Sequence, residues 1–245
     1  MLTRDKVPVT FHDNELSRCT NGTGMLWDHS WEEIKQLDAG QNFSAATAGE
    51  RIPMLSAVVQ CCRELLVGLN LEVKHMTEGS SDVPTAAEQQ MEEEIANVVC
   101  DTIEQCSVRP DELVFSSFSR PAIAVLRRRL PHFACAYLVE GIPDDWHEFM
   151  LHHHCESLIF QWDIGNPEET IQDCARKVPC YAYTVNEGAV ASQLMSLGVR
   201  GVISDCPHIV SKELCELGET AFDPHTALGA HARAAQPCVE NLSCF

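Results

Sequence analysis

Glu72 and Lys74 stand two residues apart at the end of an apolar run, LNLEVK, and are side chains that could do chemistry together. The run alternates in the manner of a β-strand, so residues at i and i+2 share one face. A carboxylate beside an ammonium group is often a plain ion pair, and that interpretation stays open. The functional alternative is a ligand for a hard divalent cation, Ca²⁺ or Mg²⁺, beside a lysine that binds a phosphoryl oxygen.

His12 ends a second apolar run, residues 7–11, whose β-branched and aromatic composition predicts a strand. The preceding Arg4, Asp5 and Lys6 predict a turn that leads into it. A histidine at a strand end is often structural. Near neutral pH, however, it can pass a proton in either direction, as cleavage of a phosphodiester requires.

The elements that must position these residues follow from periodicity. Helical patterns cover residues 30–37, 53–66, 86–105, 120–130, 144–151, 167–177 and 187–197, and a short helix follows Pro207. Strand patterns cover residues 69–74, 112–118, 134–139, 157–161, 181–186 and 201–205. Apolar strands that alternate with helices through short loops predict a parallel sheet with right-handed crossovers.

Polar residues follow each of these predicted strands, where a barrel enzyme carries its active site. They are Lys74, Ser119, Glu140, Asp163, Asn186 and Asp205. The sequence therefore predicts an α/β fold of the TIM (β/α)8 type with about six of the eight barrel strands present. Residues 1–210 make up this domain, and residues 211–245 are expected to add a C-terminal helix and a loosely ordered tail.

Charge narrows the range of partners. The 245 residues carry 17 Lys and Arg against 36 Asp and Glu, a net charge of −19. Such a field repels nucleic-acid phosphates and anionic membranes, so neither partner is expected. An anionic substrate needs a local positive group, such as a metal ion or an isolated lysine. The composition leaves the oligomeric state open.

The cysteines and the lack of targeting signals favour the cytoplasm. Thirteen cysteines at scattered spacings do not form the framework of a small secreted domain, so we expect reduced thiols that pack as small apolar groups. No stretch approaches 18 apolar residues, and no charged-then-apolar leader is present.

Seven motifs in order give the chain a family resemblance. They are VPVTFHDNELSRCTNGTG, LDAG, RIPMLS, LNLEVK, VFSSF, YTVN and GVRGVISDCP, spread over about residues 1–210. Together they resemble the glycerophosphodiester phosphodiesterases, metal-dependent barrel hydrolases of the phospholipase-C-like kind. DDWHEF and the tyrosine before TVN look closest to the cytoplasmic bacterial branch.

The resemblance implies roles residue by residue. His12 matches the second of two acid–base histidines, Glu72 matches the third of three carboxylates that hold Ca²⁺ or Mg²⁺, and Lys74 matches a phosphate-contacting lysine. Tyr183 matches an aromatic wall near the substrate. The implied reaction is hydrolysis of glycerophosphodiesters to sn-glycerol 3-phosphate and an alcohol. We also expect His12 on a hairpin outside the parallel barrel, with its ring turned toward Glu72 and Lys74.

The resemblance also implies elements that this sequence does not show. Family members carry a His-Arg-Gly strand end, a Glu-Asn-Thr segment and a Glu-x-Asp strand ahead of the position of Met1. We therefore expect an N-terminally truncated barrel with weak or no activity as it stands.

Two other functions remain open. A catalytically dead barrel fragment would bind a ligand or pair with a partner that supplies strands. A related barrel that cleaves phosphatidylinositol or sphingomyelin is disfavoured, because the chain shows no apolar membrane-docking loop.

Overall fold

The computed structural model describes residues 1–74 and 85–218, so the predicted loop at 77–84 and the predicted tail beyond residue 218 lie outside the described residues. Helices and strands alternate from residue 55 onward, as the periodicity predicts. In chain order the elements are α1 (Trp31–Ile34), α2 (Leu55–Leu65), β1 (Leu69–Glu72), α3 (Ala86–Gln105), β2 (Leu113–Ser117), α4 (Arg120–Arg129), β3 (Ala134–Val139), α5 (Trp146–His153), β4 (Ser157–Gln161), α6 (Glu168–Lys177), β5 (Cys180–Tyr183), α7 (Gly188–Ser196), β6 (Gly201–Val202) and α8 (Pro207–Glu216), with a 3₁₀ turn at Leu26–Asp28. No helix in these ranges is long and apolar enough to cross a membrane.

The six strands form one sheet in the order β1 to β6, and every neighbouring pair is parallel. Each strand connects to the next through a helix or a helix-bearing segment, which a parallel pair requires. The register places Glu72 of β1 opposite Ser116 of β2. All strand C-termini therefore meet at one end of the sheet, and the side chains that follow them share that mouth.

The sheet curls strongly. The rings of Phe118, just after β2, and Tyr183, at the end of β5, lie edge to face with centroids 6.0 Å apart. Three strand spacings in a flat sheet would separate these positions by roughly 14 Å. The strands thus form a curled half-barrel with a concave inner face, and the predicted fold class is confirmed.

The two faces of the sheet carry apolar clusters of unequal size. Outward residues such as Phe115, Cys135 and Phe160 join the helices in one large buried core. Inward residues form a small cluster in the concavity, made by Ala136, Leu138, Ile159 and Tyr181 with Phe118, Tyr183 and Ile203 against them. The alternation of side chains along each strand produces this division, and it leaves the strand ends on the inner face polar.

The N-terminal segment forms a tight hairpin against the sheet. Lys6 donates its backbone N–H to the Thr3 carbonyl at 2.9 Å, and Lys6 has φ of 64°. Antiparallel bridges join Leu2 to Pro8 and Val9 to Met54. The predicted turn and hairpin are present outside the parallel sheet. Pairing along residues 7–11 is limited to these isolated bridges, because Pro8 has no N–H to donate.

Several elements are shorter than their sequence patterns. β1 ends at Glu72 rather than at residue 74, and β6 holds two residues where five are predicted. The helix predicted at 30–37 is four residues long, although Ser30 begins it with a capping box, as its position predicts. Backbone hydrogen bonds nevertheless continue one residue past β1 and β6, where the Val73 N–H donates to the Ser116 carbonyl and the Ile203 N–H to the Ala182 carbonyl, both at 2.8 Å. Asp205, farther along, donates its backbone N–H to Asn186 Oδ1 at 2.9 Å.

Candidate active site

Glu72 and Lys74 lie side by side at the mouth of the half-barrel. Leu71 and Val73, which alternate with them, pack against the outer core, so the charged pair faces the concavity. Lys74 Nζ lies 2.9 Å from Glu72 Oε1, and the two side chains are 15% and 27% exposed. Both groups are thus largely withdrawn from water. An ion pair in such a partly buried place interacts more strongly than one on the surface.

His12 carries its ring at the end of the N-terminal hairpin. Its Nδ1 lies 2.7 Å from Asp13 Oδ1, and the side chain is 73% exposed. Asp13 in turn accepts hydrogen bonds from Arg18, from Nη2 at 2.6 Å and from Nε at 2.5 Å. These contacts leave Nε2 as the imidazole nitrogen that is not engaged by Asp13.

Hydrogen bonds from Arg18 and burial shift the pKa of Asp13 in opposite directions. The hydrogen bonds from the Arg18 guanidinium, with a smaller contribution from His12, lower the pKa of the Asp13 carboxyl to about 2 against the opposing effect of burial. Asp13 is therefore ionised throughout the neutral range. A carboxylate can only accept hydrogen bonds, so the imidazole Nδ1 must carry the proton in this contact.

One cleft brings the hairpin and β1 together. His12, Glu72 and Lys74 all line a cleft of about 400 Å³, together with apolar side chains that include Phe11 and Leu55. A second cleft of about 310 Å³ lies at the other end of β1 and β2, beside Leu66 and Leu113. The first holds a histidine, a carboxylate and an ammonium group, and it is the candidate active site.

Tyr183 stands on the opposite side of the same mouth. Its hydroxyl donates to the Val139 carbonyl at 3.1 Å, and its ring packs on Phe118. Burial raises the pKa of this phenol well above its usual range, and the charges of Glu140, Glu72 and Asp163 add to the effect. Tyr183 therefore carries a neutral phenol, and its ring belongs to the apolar cluster on the inner face of the sheet.

The described residues fit a divalent cation only in part. Glu72 Oε1 is buried and lies 2.9 Å from the Lys74 ammonium nitrogen, so a metal ion would have to share this oxygen with Lys74. Residues 1–74 and 85–218 contain no group of three or more His, Cys, Asp or Glu that could hold a metal ion. Glu72 thus offers one oxygen ligand, and the described part of the chain does not complete a ligand set.

The strand-end polar residues do not all face the mouth. Ser119 instead caps α4, where its hydroxyl accepts from the Ala122 N–H at 3.0 Å and donates to the buried Glu92 Oε2 at 2.6 Å. Asn186 Nδ2 donates to Asp205 Oδ2 at 3.0 Å, so these two residues bond each other. The alternation rule fails for Ser119 because it lies beyond the strand, where the chain turns into the helix.

Sequence reasoning missed three residues near the site. Asp13 and Arg18 both lie within the first family motif, but nothing local shows that a side chain five positions later will fold back onto the carboxylate. Ser116, the register neighbour of Glu72, has a buried hydroxyl oxygen without a hydrogen-bond partner among the described residues. An inward serine gives no sequence signal beyond its small size.

Residues 1–209 match the glycerophosphoryl diester phosphodiesterase family. The chain is 28% identical over 208 residues to a glycerophosphodiester phosphodiesterase of Caldanaerobacter subterraneus subsp. tengcongensis, covering 84% of this chain and 79% of the relative. It is 24% identical over 214 residues to a glycerophosphodiester phosphodiesterase of Bacillus altitudinis, covering 84% and 80%.

Solved structures share the fold. A phosphodiesterase from Oleispira antarctica, in complex with the product sn-glycerol-3-phosphate, superposes with a TM-score of 0.76 at 29% sequence identity, over 88% of this chain and 82% of that one. The family resemblance that the seven motifs indicate is therefore confirmed.

Proposed function

The chain belongs to the glycerophosphoryl diester phosphodiesterase family, and on that premise we propose that it hydrolyses glycerophosphodiesters to sn-glycerol 3-phosphate and an alcohol. The catalytic domain in this proposal is residues 1–210, onto which α8 packs through the buried Val210 and Leu214. The substrate is a small molecule in the cytoplasm. The acidic chain, at −19, gives no support to nucleic-acid or membrane-surface binding.

The observation that carries the proposal is the shared cleft of His12, Glu72 and Lys74. Two segments that are distant in the sequence deliver a proton carrier, a carboxylate and an ammonium group to one concave site. A phosphodiester needs the ammonium group for its anionic oxygens and the imidazole for its proton transfers. The product bound in the Oleispira antarctica structure is consistent with that substrate class.

Each residue has a distinct role in this proposal. Lys74 binds a phosphoryl oxygen, and its 2.9 Å contact with Glu72 holds the ammonium group in place in the cleft. His12 acts as a general acid or base through Nε2, the nitrogen that Asp13 does not engage. Tyr183 provides an aromatic wall that limits where the glycerol portion can lie.

Glu72 also supplies one oxygen to a divalent cation, Ca²⁺ or Mg²⁺, in this proposal. When bound, such a cation stabilises charge on phosphoryl oxygens. We expect EDTA to abolish hydrolysis and either cation to restore it. Calorimetric titration should show that Glu72→Gln weakens cation binding about tenfold or more. Equal binding by Glu72→Gln and the unmodified chain would remove Glu72 from the cation site.

The test of function is release of glycerol 3-phosphate from glycerophosphocholine in the presence of Ca²⁺ or Mg²⁺. His12→Ala should lower the rate about 10²- to 10⁴-fold, the usual contribution of one acid–base group. His132→Ala is the matched control, since His132 is exposed just before β3 at the other end of the sheet. Equal rates for the unmodified chain and His12→Ala would contradict the proposed role of His12.

We expect slow turnover from the 245-residue chain. Among the described residues the candidate site brings together one histidine, one carboxylate and one lysine. With one imidazole among the described residues of the cleft, we expect kcat/KM about 10²-fold or more below that of the Caldanaerobacter relative assayed in parallel. A rate equal to that of the relative would show that these residues suffice. Binding of sn-glycerol 3-phosphate with no release from any diester would favour the alternative, a binding module without catalysis.

A further inference from the structure

We propose that Asp13 is the residue that positions the catalytic imidazole, and that Arg18 anchors Asp13 for this task. The inference deepens the proposed function, on which the catalytic role of His12 rests. The structural part, the control of one ring by one carboxylate, stands on contacts of its own. His12 Nδ1 donates to Asp13 Oδ1 at 2.7 Å, and Arg18 Nη2 donates to the same oxygen at 2.6 Å.

Arg18 makes this contact rigid. Its Nε donates to Asp13 Oδ2 while Nη2 donates to Oδ1, so both carboxylate oxygens are held by one planar guanidinium. The Asp13 side chain is 19% exposed, whereas the His12 ring is 73% exposed. The Asp13 carboxylate, which is largely buried and accepts two hydrogen bonds from Arg18, therefore holds the exposed His12 ring in place.

The consequence for chemistry is the choice of tautomer. An unrestrained neutral imidazole populates both tautomers, and only one presents an unprotonated Nε2. The ionised Asp13 accepts from Nδ1–H and thereby selects the tautomer that leaves Nε2 able to take a proton. It also fixes the ring plane relative to the hairpin, and the ring lines the same cleft as Lys74.

The experiment observes the His12 ring directly. We would record side-chain ¹⁵N shifts of the chain labelled at histidine, raising the pH until these shifts no longer change, and assign His12 by its loss in His12→Ala. Asp13→Ala should lower the ratio of the Nδ1–H to the Nε2–H tautomer about tenfold, the factor supplied by one charge-assisted hydrogen bond. Arg18→Met, which keeps the acceptor but removes its anchor, should give an intermediate ratio.

Glu15→Ala is the matched control. Glu15 lies in the same loop, and its contact is a hydrogen bond from Ser17 at 2.9 Å, so the variant removes an equal charge without touching His12. Its tautomer ratio should match that of the unmodified chain. An unchanged ratio in both Asp13→Ala and Arg18→Met, or an equal change in Glu15→Ala, would overturn the proposal. Should Asp13→Ala fail to fold, Arg18→Met and Glu15→Ala decide the matter alone.

Kinetics separate this proposal from the proposed function. Asp13→Ala should lower kcat for glycerophosphocholine about 10- to 100-fold with KM little changed, since Asp13 acts on the ring and not on the substrate. If Asp13→Ala shifted the tautomer ratio but the unmodified chain released no glycerol 3-phosphate, the positioning role of Asp13 would stand and the proposed hydrolysis would be refuted. If hydrolysis required His12 but ran at the same rate in Asp13→Ala, the proposed function would stand and the positioning role of Asp13 would be refuted.

Discussion

At the scale of single residues, Lys74 brings a positive charge into the cleft of a chain whose net charge is −19. An anionic diester that approaches this chain is repelled over most of its surface, so its binding depends on local cations. We expect Lys74→Met to raise KM for glycerophosphocholine about tenfold or more, because a hydrogen bond to a charged group is lost.

Lys35→Met is the comparison for this experiment. Lys35 also forms an ion pair with a glutamate, Glu32 at 2.6 Å, but it follows the surface helix α1. KM should remain unchanged in that variant, because exposed pairs contribute little. A KM that is equal in Lys74→Met and the unmodified chain would exclude Lys74 from phosphate binding.

Asp13 gives a pH dependence at the same scale. Its folded-state pKa is about 2, below the usual 3.8, so its contribution to stability is fully present above about pH 4. The contribution is lost as the pH falls from about 4 through 2. Urea unfolding should therefore show a stability difference between the unmodified chain and Asp13→Asn at pH 5 that shrinks by pH 3. A stability difference that is independent of pH would argue against the Arg18–Asp13 contact.

At the scale of elements, a buried carboxylate connects two helices behind the sheet. Glu92 of α3 is 1% exposed and accepts from Ser119, which also caps α4. Ser119→Ala removes the cap and leaves Glu92 one hydrogen bond short. We expect a loss of about 2 kcal/mol or more in the free energy of unfolding, measured in urea.

Ser30, at the start of α1, provides a substitution to compare with Ser119→Ala. Ser30 donates to Glu33 Oε2 at 2.8 Å at an exposed helix start. Ser30→Ala should cost about 1 kcal/mol, the ordinary value of a cap. Equal losses in the two variants would mean that the contact with Glu92 adds nothing to the capping of α4.

At the scale of the whole molecule, burial divides the described cysteines into buried, partly buried and exposed classes. The eleven cysteines within residues 1–74 and 85–218 are all free thiols. Four are buried in α3, β3, α6 and β5, namely Cys100, Cys135, Cys174 and Cys180. Burial raises the pKa of Cys100 and Cys174 to about 11 and that of Cys180 to about 12.

Alkylation should reveal these classes, since the thiolate is the reactive form. We expect the exposed Cys61 and Cys215 to react with iodoacetamide at pH 8 while the four buried thiols react only after unfolding in urea. Mass spectrometry of the digested chain gives the extent of reaction at each position. Rapid alkylation of Cys180 in the native chain would contradict the packed sheet-and-helix core.

The sequence by itself determined the order of strands and helices, and it placed Glu72 and Lys74 on one face. Both results depend on periods of two and 3.6 residues, which are local properties of the chain. The motif order also indicated the family. The boundaries did not follow from the pattern: β6 has two residues where five are predicted, although the Ile203 N–H beyond it still donates to the Ala182 carbonyl.

Only the tertiary structure decided which distant residues meet. The curl of the sheet brings Phe118 against Tyr183, and the folded hairpin brings His12 to the cleft of Glu72. It also turned Ser119 toward Glu92 and folded Arg18 back onto Asp13. Local periodicity determines the face of a strand or helix from which a side chain projects. The partner at its tip depends on backbone turns beyond the strand and on packing between segments far apart in the chain, and neither of these is periodic.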